Sequence, residues 1–495
     1  MSQSLPALAD RFSALSVLVV GESILDAYLK GASRRLCREA PVPVVDLRER
    51  LYAPGGAANA AVNLASLGAR VELASVTGDD DAGARVRELL RRAGVGCGNL
   101  LVQPARRTLV KRRIVADGHM LARVDDGDTG PVAEATERDL LDRLPELFAS
   151  HDAVLISDYG YGAVGPATIE RLRQLQAEAP RVLVVDAKRP AAYREVGVTA
   201  AKPNYDEAIK LLGAEHRTST SLRAEQLERQ GERLRELLGA QLVAVTLGSE
   251  GALLFEGGQE PPYRTYAHEQ PSSLTTGAGD TFASVLTLAI AAGADVPAAG
   301  ELASAAAALV VTREGTAVCG ATALREALSG SRRRLAGPEE LTAQAGMHRQ
   351  RGRRVVFTNG CFDLLHRGHV AYLNRAKALG DVLVVGVNSD RSVRRLKGPD
   401  RPLNRLEDRM EVLGALSCID HLVAFDADTP AELIEAARPE VFVKGGDYSP
   451  EDLPEAPLVE RLGGKVVLLP YLEDHSTTAV IERIRTGPGS GKGSR

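Results

Sequence analysis

The strongest constraint on this chain is a pair of glycine-bearing turns, each joining an apolar run to a helical one. The first is Thr275-Thr276-Gly277-Ala278-Gly279-Asp280-Thr281, which leads into an Ala-rich run over 281–292. The second is Thr358-Asn359-Gly360-Cys361-Phe362-Asp363-Leu364-Leu365-His366-Arg367-Gly368-His369, which follows the apolar residues 354–357. A strand that feeds a helix through glycine aims backbone N–H groups and the positive end of the helix dipole at an anion. Two such turns, different in type and far apart, call for two α/β domains and point to an enzyme acting twice on phosphorylated compounds. The length of 495 residues suits two or three domains.

With 44% hydrophobic and 25% charged residues, the composition is ordinary for a globular protein with sizeable cores. A formal net charge of −4 argues against nucleic acid as a partner. The five cysteines, Cys37, Cys97, Cys319, Cys361 and Cys418, are odd in number and lack CxxC spacing. They read as reduced thiols, and the expected location is the cytoplasm. Residues 1–10 lack the basic-then-apolar order of a signal peptide, and no run reaches the roughly 18 apolar residues that span a bilayer. No membrane partner is expected.

Short Val/Leu-rich runs at 16–20, 153–157, 181–186 and 241–246 alternate with helical stretches such as 168–179 and 222–238. That order predicts a mainly parallel sheet covered by helices. Residues 41–47 read as an extended edge strand, and 108–125 as a hairpin turning at Asp117-Gly118, a favoured type I′ pair. Together they predict a small β-flap on the α/β core. The polar, basic stretch from Ser329 reads as the start of a linker. Strand candidates then resume at 354–357, 381–387, 421–425, 441–444 and 465–469. The expected organisation is a first domain over 1–328, a linker over 329–352, a second domain over 353–485 and a disordered tail over 486–495.

In the first turn, Gly277, Ala278 and Gly279 would bring N–H donors onto a phosphate. Asp280 would stand beside the transferring phosphoryl group, placed to take a proton from an attacking hydroxyl. A Gly-Asp pair also makes a plain turn and helix cap, so this motif alone leaves both readings open. Further glycine clusters lie at Gly55-Gly56-Ala57-Ala58-Asn59 and Thr246-Leu247-Gly248-Ser249-Glu250-Gly251. With Gly21-Glu22-Ser23-Ile24-Leu25-Asp26 and Asn204-Tyr205-Asp206-Glu207, these residues resemble the ribokinase-like (PfkB) family of sugar kinases over about 17–325.

The resemblance implies Asp280 as catalytic base, Gly277, Ala278 and Gly279 as anion hole, and Asp26, Gly55, Gly56 and Asn59 on the sugar. It further implies Lys188, Asn204 and Glu207 at the phosphates, with Mg2+ arriving on ATP near Asn204 and Glu207 rather than in a protein-built metal site. Thr246, Gly248 and Gly251 would line the adenine nucleotide, and the flap would be a sugar-site lid. Lys111, Arg113 and Arg123 on the predicted hairpin, with Arg34 as a fourth candidate, would form a basic patch over an anionic sugar; a solvated basic face is the alternative.

His366 and His369 stand three residues apart at a predicted helix start, where they can present imidazoles to one phosphate. A metal pair or two solvated histidines are the other readings, although no spacing supplies further zinc ligands. The stretch resembles the HxGH nucleotidyltransferases, the cytidylyltransferase-like group, over about 353–485. Agreement continues through Asn388-Ser389-Asp390, Lys397-Gly398, Arg401-Pro402, Arg409-Met410, Lys444-Gly445-Gly446-Asp447-Tyr448 and Ser476-Thr477-Thr478. It implies a Rossmann-like fold in which a substrate phosphate attacks a nucleoside triphosphate directly, so that catalysis is positioning and charge stabilisation. His366 and His369 would be catalytic. Asn359, Gly360, Phe362, Asp363, Lys397, Arg409, Ser476 and Thr477 would bind nucleotide or phosphate, while Arg401 could equally be solvated surface.

The fused order resembles bifunctional enzymes of ADP-heptose formation. That implies ATP and heptose phosphates as partners, a separate bisphosphate phosphatase acting between the two steps, and a homodimer. Four positions depart from the family pattern: Glu22 for Asp, Tyr161 for Lys, Ala187 for Pro, and Leu274 for the Asp before the first turn. Leucine offers a monovalent cation no oxygen, so potassium stimulation of the first activity is expected to be small. Two alternatives stay open: another sugar phosphate with CTP, or a first half that binds sugar phosphate without turnover.

Overall fold

The computed structural model describes residues 4–217, 222–258, 261–267, 275–311, 315–328, 333–445 and 453–469. The chain forms two compact units, Met1–Arg325 and Glu326–Arg495. Among the described residues, no helix is long and apolar enough to cross a membrane.

The first unit is built on a nine-stranded sheet. Within it, Ser16–Gly21 pairs in parallel with Arg70–Gly78 on one side and Ala153–Asp158 on the other. Both Ser16–Gly21 and Ala153–Asp158 are buried along their whole length, as their unbroken apolar runs require in a sheet covered on both faces. Beyond Ala153–Asp158 follow Val182–Ala187, Val198–Ala201 and Ala240–Thr246 in parallel, then two antiparallel edge strands, Ala252–Glu256 and Tyr263–Thr265. Chain order reverses between Ser16–Gly21 and Ala153–Asp158. Ligands of open α/β sheets bind outside the carboxyl ends of strands at such a switch point. Here those ends are Gly21-Glu22 and Asp158-Tyr159.

The flap is a four-stranded sheet in the order Pro43–Gly56, Ser23–Leu36, Val110–Ala116, His119–Asp126. Its hairpin turns at Asp117 and Gly118, whose φ angles of 50° and 82° are those a type I′ turn needs. The extended segment expected at 41–47 is part of the longer strand Pro43–Gly56. Ser23–Leu36 escapes sequence reading because its first residues run through the core while its last ones are exposed, so no single hydrophobic period describes it.

The second unit has a six-stranded, all-parallel sheet in the order Arg334–Leu335, His421–Phe425, Val382–Asn388, Val355–Gly360, Val441–Gly445, Lys465–Leu469. Its order reverses between Val355–Gly360 and Val441–Gly445, which places the second glycine turn at a switch point. Phe357 and Phe442, stacked at 6.1 Å on those neighbouring strands, anchor the core.

The linker expected over 329–352 changes in its described part. Arg334–Leu335 pairs with His421–Phe425, and the helix Pro338–Gln350 buries Leu341 and Ala345. An apolar residue on each element found a sheet to cover, although the basic residues just before them read as solvated chain. Leu341→Ala removes a fully buried side chain from this core and should cost about 2–5 kcal/mol. Urea denaturation should then lower the midpoint of the second unit and leave the first unmoved; an unchanged second transition would return the helix to linker status.

Two candidate active sites

The helix Ala278–Ala291 supplies the first site's anion-binding end. Its first-turn N–H groups, from Ala278 to Asp280, have no acceptor within the helix. Gly277 takes a φ of 99°, and a Cβ there would lie 2.6 Å from Asn59 Nδ2. Only glycine fits that turn. A cleft of about 200 Å³ opens in front of it. Of the residues singled out from sequence, Asp26, Gly56, Lys111, Arg113, Lys188, Asn204, Glu207, Gly277, Gly279 and Asp280 line the cleft.

Asp280 is buried and held from two sides. Asn59 Nδ2 donates to its Oδ2 at 2.7 Å, and the Tyr159 hydroxyl donates to Oδ1 at 2.6 Å. Burial raises the Asp280 carboxyl above the usual range; these two donors and the Lys202 charge pull it back, and Asp26 adds to the rise. Asp26 accepts from Arg113 Nη1 at 2.6 Å and from the Thr316 hydroxyl at 3.0 Å. Gly55 lets the chain pass this carboxylate, since a Cβ there would stand 2.8 Å from Asp26 Oδ2. Asn59, expected on the sugar, is fully buried behind Asp280, with Asn63 Nδ2 donating to its Oδ1 at 3.2 Å.

Two of the expected flap cations lie outside the cleft. Arg123 pairs with Asp125 at 3.0 Å on the exposed outer strand of the flap, away from the cleft, and Arg34 is exposed. Asn204 and Glu207 form a capping box, and Glu207 also meets Lys188 Nζ at 2.9 Å. Thr246 bridges to Asn204 at the sheet end, while Gly248 and Gly251 shape a turn closed by Leu247 N–H donating to the Gly251 carbonyl at 2.8 Å. Neither glycine reaches the cleft.

Tyr159, Asp186 and Lys202 are cleft residues that sequence reading missed. Lys202 Nζ lies 3.1 Å from Asp186 and 3.6 Å from where a Cβ on Gly279 would stand, which sets a buried cation beside the glycine turn. Burial pushes Asp186 up to about 6 despite that cation. The available signal was position: Tyr159 and Asp186 sit at strand ends, and Lys202 just precedes Pro203-Asn204.

In the second unit, Phe362 follows Val355–Gly360 with a φ of 46° and sets its ring edge-on to His369 at 5.5 Å. His366 caps the helix Arg367–Lys377, and its ring lies 3.9 Å from that of His369. Burial first, then the charges of His366 and Lys397, push His369 down to about 3. It is therefore a neutral imidazole at neutral pH, with one N–H to donate. Lys397 ends the helix Asp390–Lys397 and is exposed. Asn359 accepts from Lys444 Nζ at 3.0 Å.

Two expected phosphate or nucleotide ligands are committed elsewhere. Arg409 is 2% exposed and donates to Asp390 at 2.7 Å, to the Asn404 carbonyl at 3.1 Å and to the Cys361 carbonyl at 2.5 Å. Asp363 accepts from Leu403 N–H at 2.6 Å and pairs with Arg401 Nε at 2.8 Å. Both residues tie the 401–404 segment to the turn after Gly360, and Arg401 is an ion-pair partner rather than solvated surface. Ser476, Thr477 and Leu274 lie outside the described residues.

Residues 14–323 match the pfkB family carbohydrate kinases, and residues 357–483 match the cytidylyltransferase-like family. Bifunctional protein HldE of Desulfatibacillum aliphaticivorans is 36% identical over 482 residues, spanning 97% of this chain and 97% of its own. Bifunctional protein HldE of Alkalilimnicola ehrlichii is 41% identical over 483 residues, spanning 96% of this chain and 98% of its own. A solved ribokinase from Arabidopsis thaliana, complexed with ribose and ATP, matches 63% of this chain and 98% of its own at a TM-score of 0.50 and 20% identity. That likeness concerns fold alone.

The position of His369 makes a direct prediction. In the nucleotide-free protein its ring should keep the nitrogen shifts of a neutral imidazole throughout pH 5–8, because burial disfavours the charged form. Nitrogen-15 NMR titration against His369→Gln checks this, and a midpoint near the ordinary histidine value would contradict it.

Proposed function

Because the chain belongs to the pfkB carbohydrate kinases and, over nearly its whole length, to the bifunctional HldE proteins, we propose that it performs two steps of ADP-heptose formation. The first unit transfers the γ-phosphoryl group of ATP to the anomeric hydroxyl of D-glycero-D-manno-heptose 7-phosphate. The second transfers the adenylyl group of ATP to heptose 1-phosphate and releases pyrophosphate. The observation that carries the kinase reading is Asp280, a buried carboxylate at the open end of a helix, facing a cleft that also holds Lys202, Lys111 and Arg113.

In the kinase step the anomeric hydroxyl gives its proton to Asp280 as its oxygen bonds to the γ-phosphorus, and the bond from that phosphorus to the departing ADP breaks. The first-turn N–H groups and Lys202 meet the charge on the transferring group. Magnesium arrives with ATP. Asn204 and Glu207 would steady it, and it would neutralise phosphate charge. Lys111, which among the described residues has no carboxylate partner, is placed to receive the 7-phosphate; Arg113 is already spent on Asp26.

In the second step an oxygen of the sugar 1-phosphate bonds to the α-phosphorus of ATP as the bond to pyrophosphate breaks. His366 and His369 donate N–H groups to the charge that develops, and Lys397 adds a cation. The 7-phosphate must be removed between the steps, so a separate phosphatase is the expected partner. Exposed Leu47, Leu51, Met120 and Val124 on the flap strands support a homodimer, and five free cysteines support a cytoplasmic location.

Phosphorus NMR of the full chain with ATP and heptose 7-phosphate, with and without added phosphatase, tests both steps. A bisphosphate should form without phosphatase and ADP-heptose only with it; CTP should not replace ATP. Asp280→Asn should lower the kinase rate by roughly 10²-fold or more, while His369→Ala should lower adenylyl transfer by a similar factor. Each variant should spare the other reaction. Survival of heptose phosphorylation near the original rate in Asp280→Asn would remove Asp280 as the base.

Leu274 supports one further expectation, that replacing potassium by tetramethylammonium at fixed ionic strength leaves the kinase rate nearly unchanged. A large, saturable loss would overturn it.

A further inference from the structure

We propose that Tyr159 is a positioning residue for the kinase base and that Glu22 holds it in place, so that Glu22, the 159–163 loop, the Tyr159 hydroxyl and Asp280 form one continuous support. The proposal rests on the reading of Asp280 as base. Its geometry begins at the sheet's switch point. Glu22 directly follows the strand Ser16–Gly21, and its carboxylate turns back on the neighbouring strand end. It accepts from the backbone N–H of Tyr159 at 2.6 Å, of Tyr161 at 3.1 Å and of Ala163 at 3.2 Å. A second buried carboxylate, Asp158, accepts from the Gly160 N–H at 2.8 Å and from the Tyr193 hydroxyl at 2.8 Å. The loop is thus fixed through its backbone, which frees its side chains to face the cleft.

Tyr159 uses that freedom. Its hydroxyl takes Asp280 Oδ1 while Asn59 takes Oδ2, and the two donors fix the plane of the carboxylate. Carboxylate oxygens keep acceptor capacity beyond one bond each, so the substrate hydroxyl still has somewhere to deliver its proton. Burial raises the Tyr159 phenol well above its ordinary value, so it stays a donor and does not compete as a base. Its ring, stacked with Tyr161, also lies 5.2 Å beneath the Lys111 ammonium of the flap. Glu22 and Tyr161, two departures from the family pattern, therefore meet in one loop.

Other charges face the same groups and remain in every variant below. Lys202 favours ionised Asp280, and Asp26 opposes it. Asp158 opposes ionised Glu22, whose carboxyl burial pushes up to about 7, and Arg106 lies within its field.

The test measures kcat and KM against pH for the full-length kinase reaction in wild type, Tyr159→Phe, Glu22→Gln and the double variant, with Asp280→Asn as reference. Tyr159→Phe should lower kcat by roughly tenfold, with the sugar KM little changed. Loss of a hydrogen bond to the ionised carboxylate should also move the acid limb of its profile to higher pH. Glu22→Gln should lower kcat in the wild-type background and add little to Tyr159→Phe, because both act through one bond. An unmoved acid limb in Tyr159→Phe, or simple additivity of the two changes, would overturn the proposal. If Glu22→Gln does not fold, the Tyr159→Phe profile decides alone. Near-normal turnover by Asp280→Asn would instead overturn the base assignment.

Discussion

A carboxylate buried at the open end of a helix is the constraint around which the first unit is arranged. Removing Asp280 from water disfavours its charge, and an isolated buried carboxylate would simply protonate. The fold answers with directed donors, from Asn59 behind and Tyr159 in front, and with the Lys202 ammonium nearby. The helix end adds its dipole. The result is a carboxylate whose proton affinity is raised by burial yet whose orientation is prescribed. The same cleft carries Asp26, Asp186 and Glu207, and each of these is matched by a cation: Arg113, Lys202 and Lys188. Balanced charge lets so many ionisable groups share a small space.

The second unit meets phosphate by a different route. Its two imidazoles lie ring to ring, where two positive charges side by side would repel. A neutral His369 avoids that repulsion and still offers an N–H donor. The net cation is left to an exposed lysine at a helix terminus. Rigidity comes from buried Arg409 and Asp363, which fasten the loop before and after the turn. One unit thus invests in a buried charge and the other in shape.

Local signals carried much of this into the sequence. Asp117-Gly118 marked the flap hairpin because type I′ turns require positive φ, and Gly277-Ala278-Gly279-Asp280 marked the anion hole because only glycine fits its turn. Parallel strands showed as unbroken apolar runs. What stayed hidden depends on partners distant in the chain. Arg409 reads as a free cation until Asp390 and two carbonyls occupy it, and Asn59 reads as a sugar ligand until Asp280, 221 positions on, claims its amide. Tyr159 and Lys202 carry no motif; only strand order brings them beside Asp280. Pro338-Glu339-Glu340-Leu341 reads as the start of a short helix, but its packing stays hidden because its burial rests on Leu341 and Ala345 alone.

The strand Ser23–Leu36 runs without a break from the core into the flap, and that continuity has a mechanical consequence. Its root, through Tyr28, is clamped on all sides, and Asp26 sits within that clamped length. The outer part is exposed, with pairing irregularities after Lys30 and Ser33. Such a ribbon behaves as a cantilever, stiff where it meets the cleft and compliant toward its tip. Bending at the tip therefore changes the reach of the flap while leaving the Asp26–Arg113 pair at its root undisturbed.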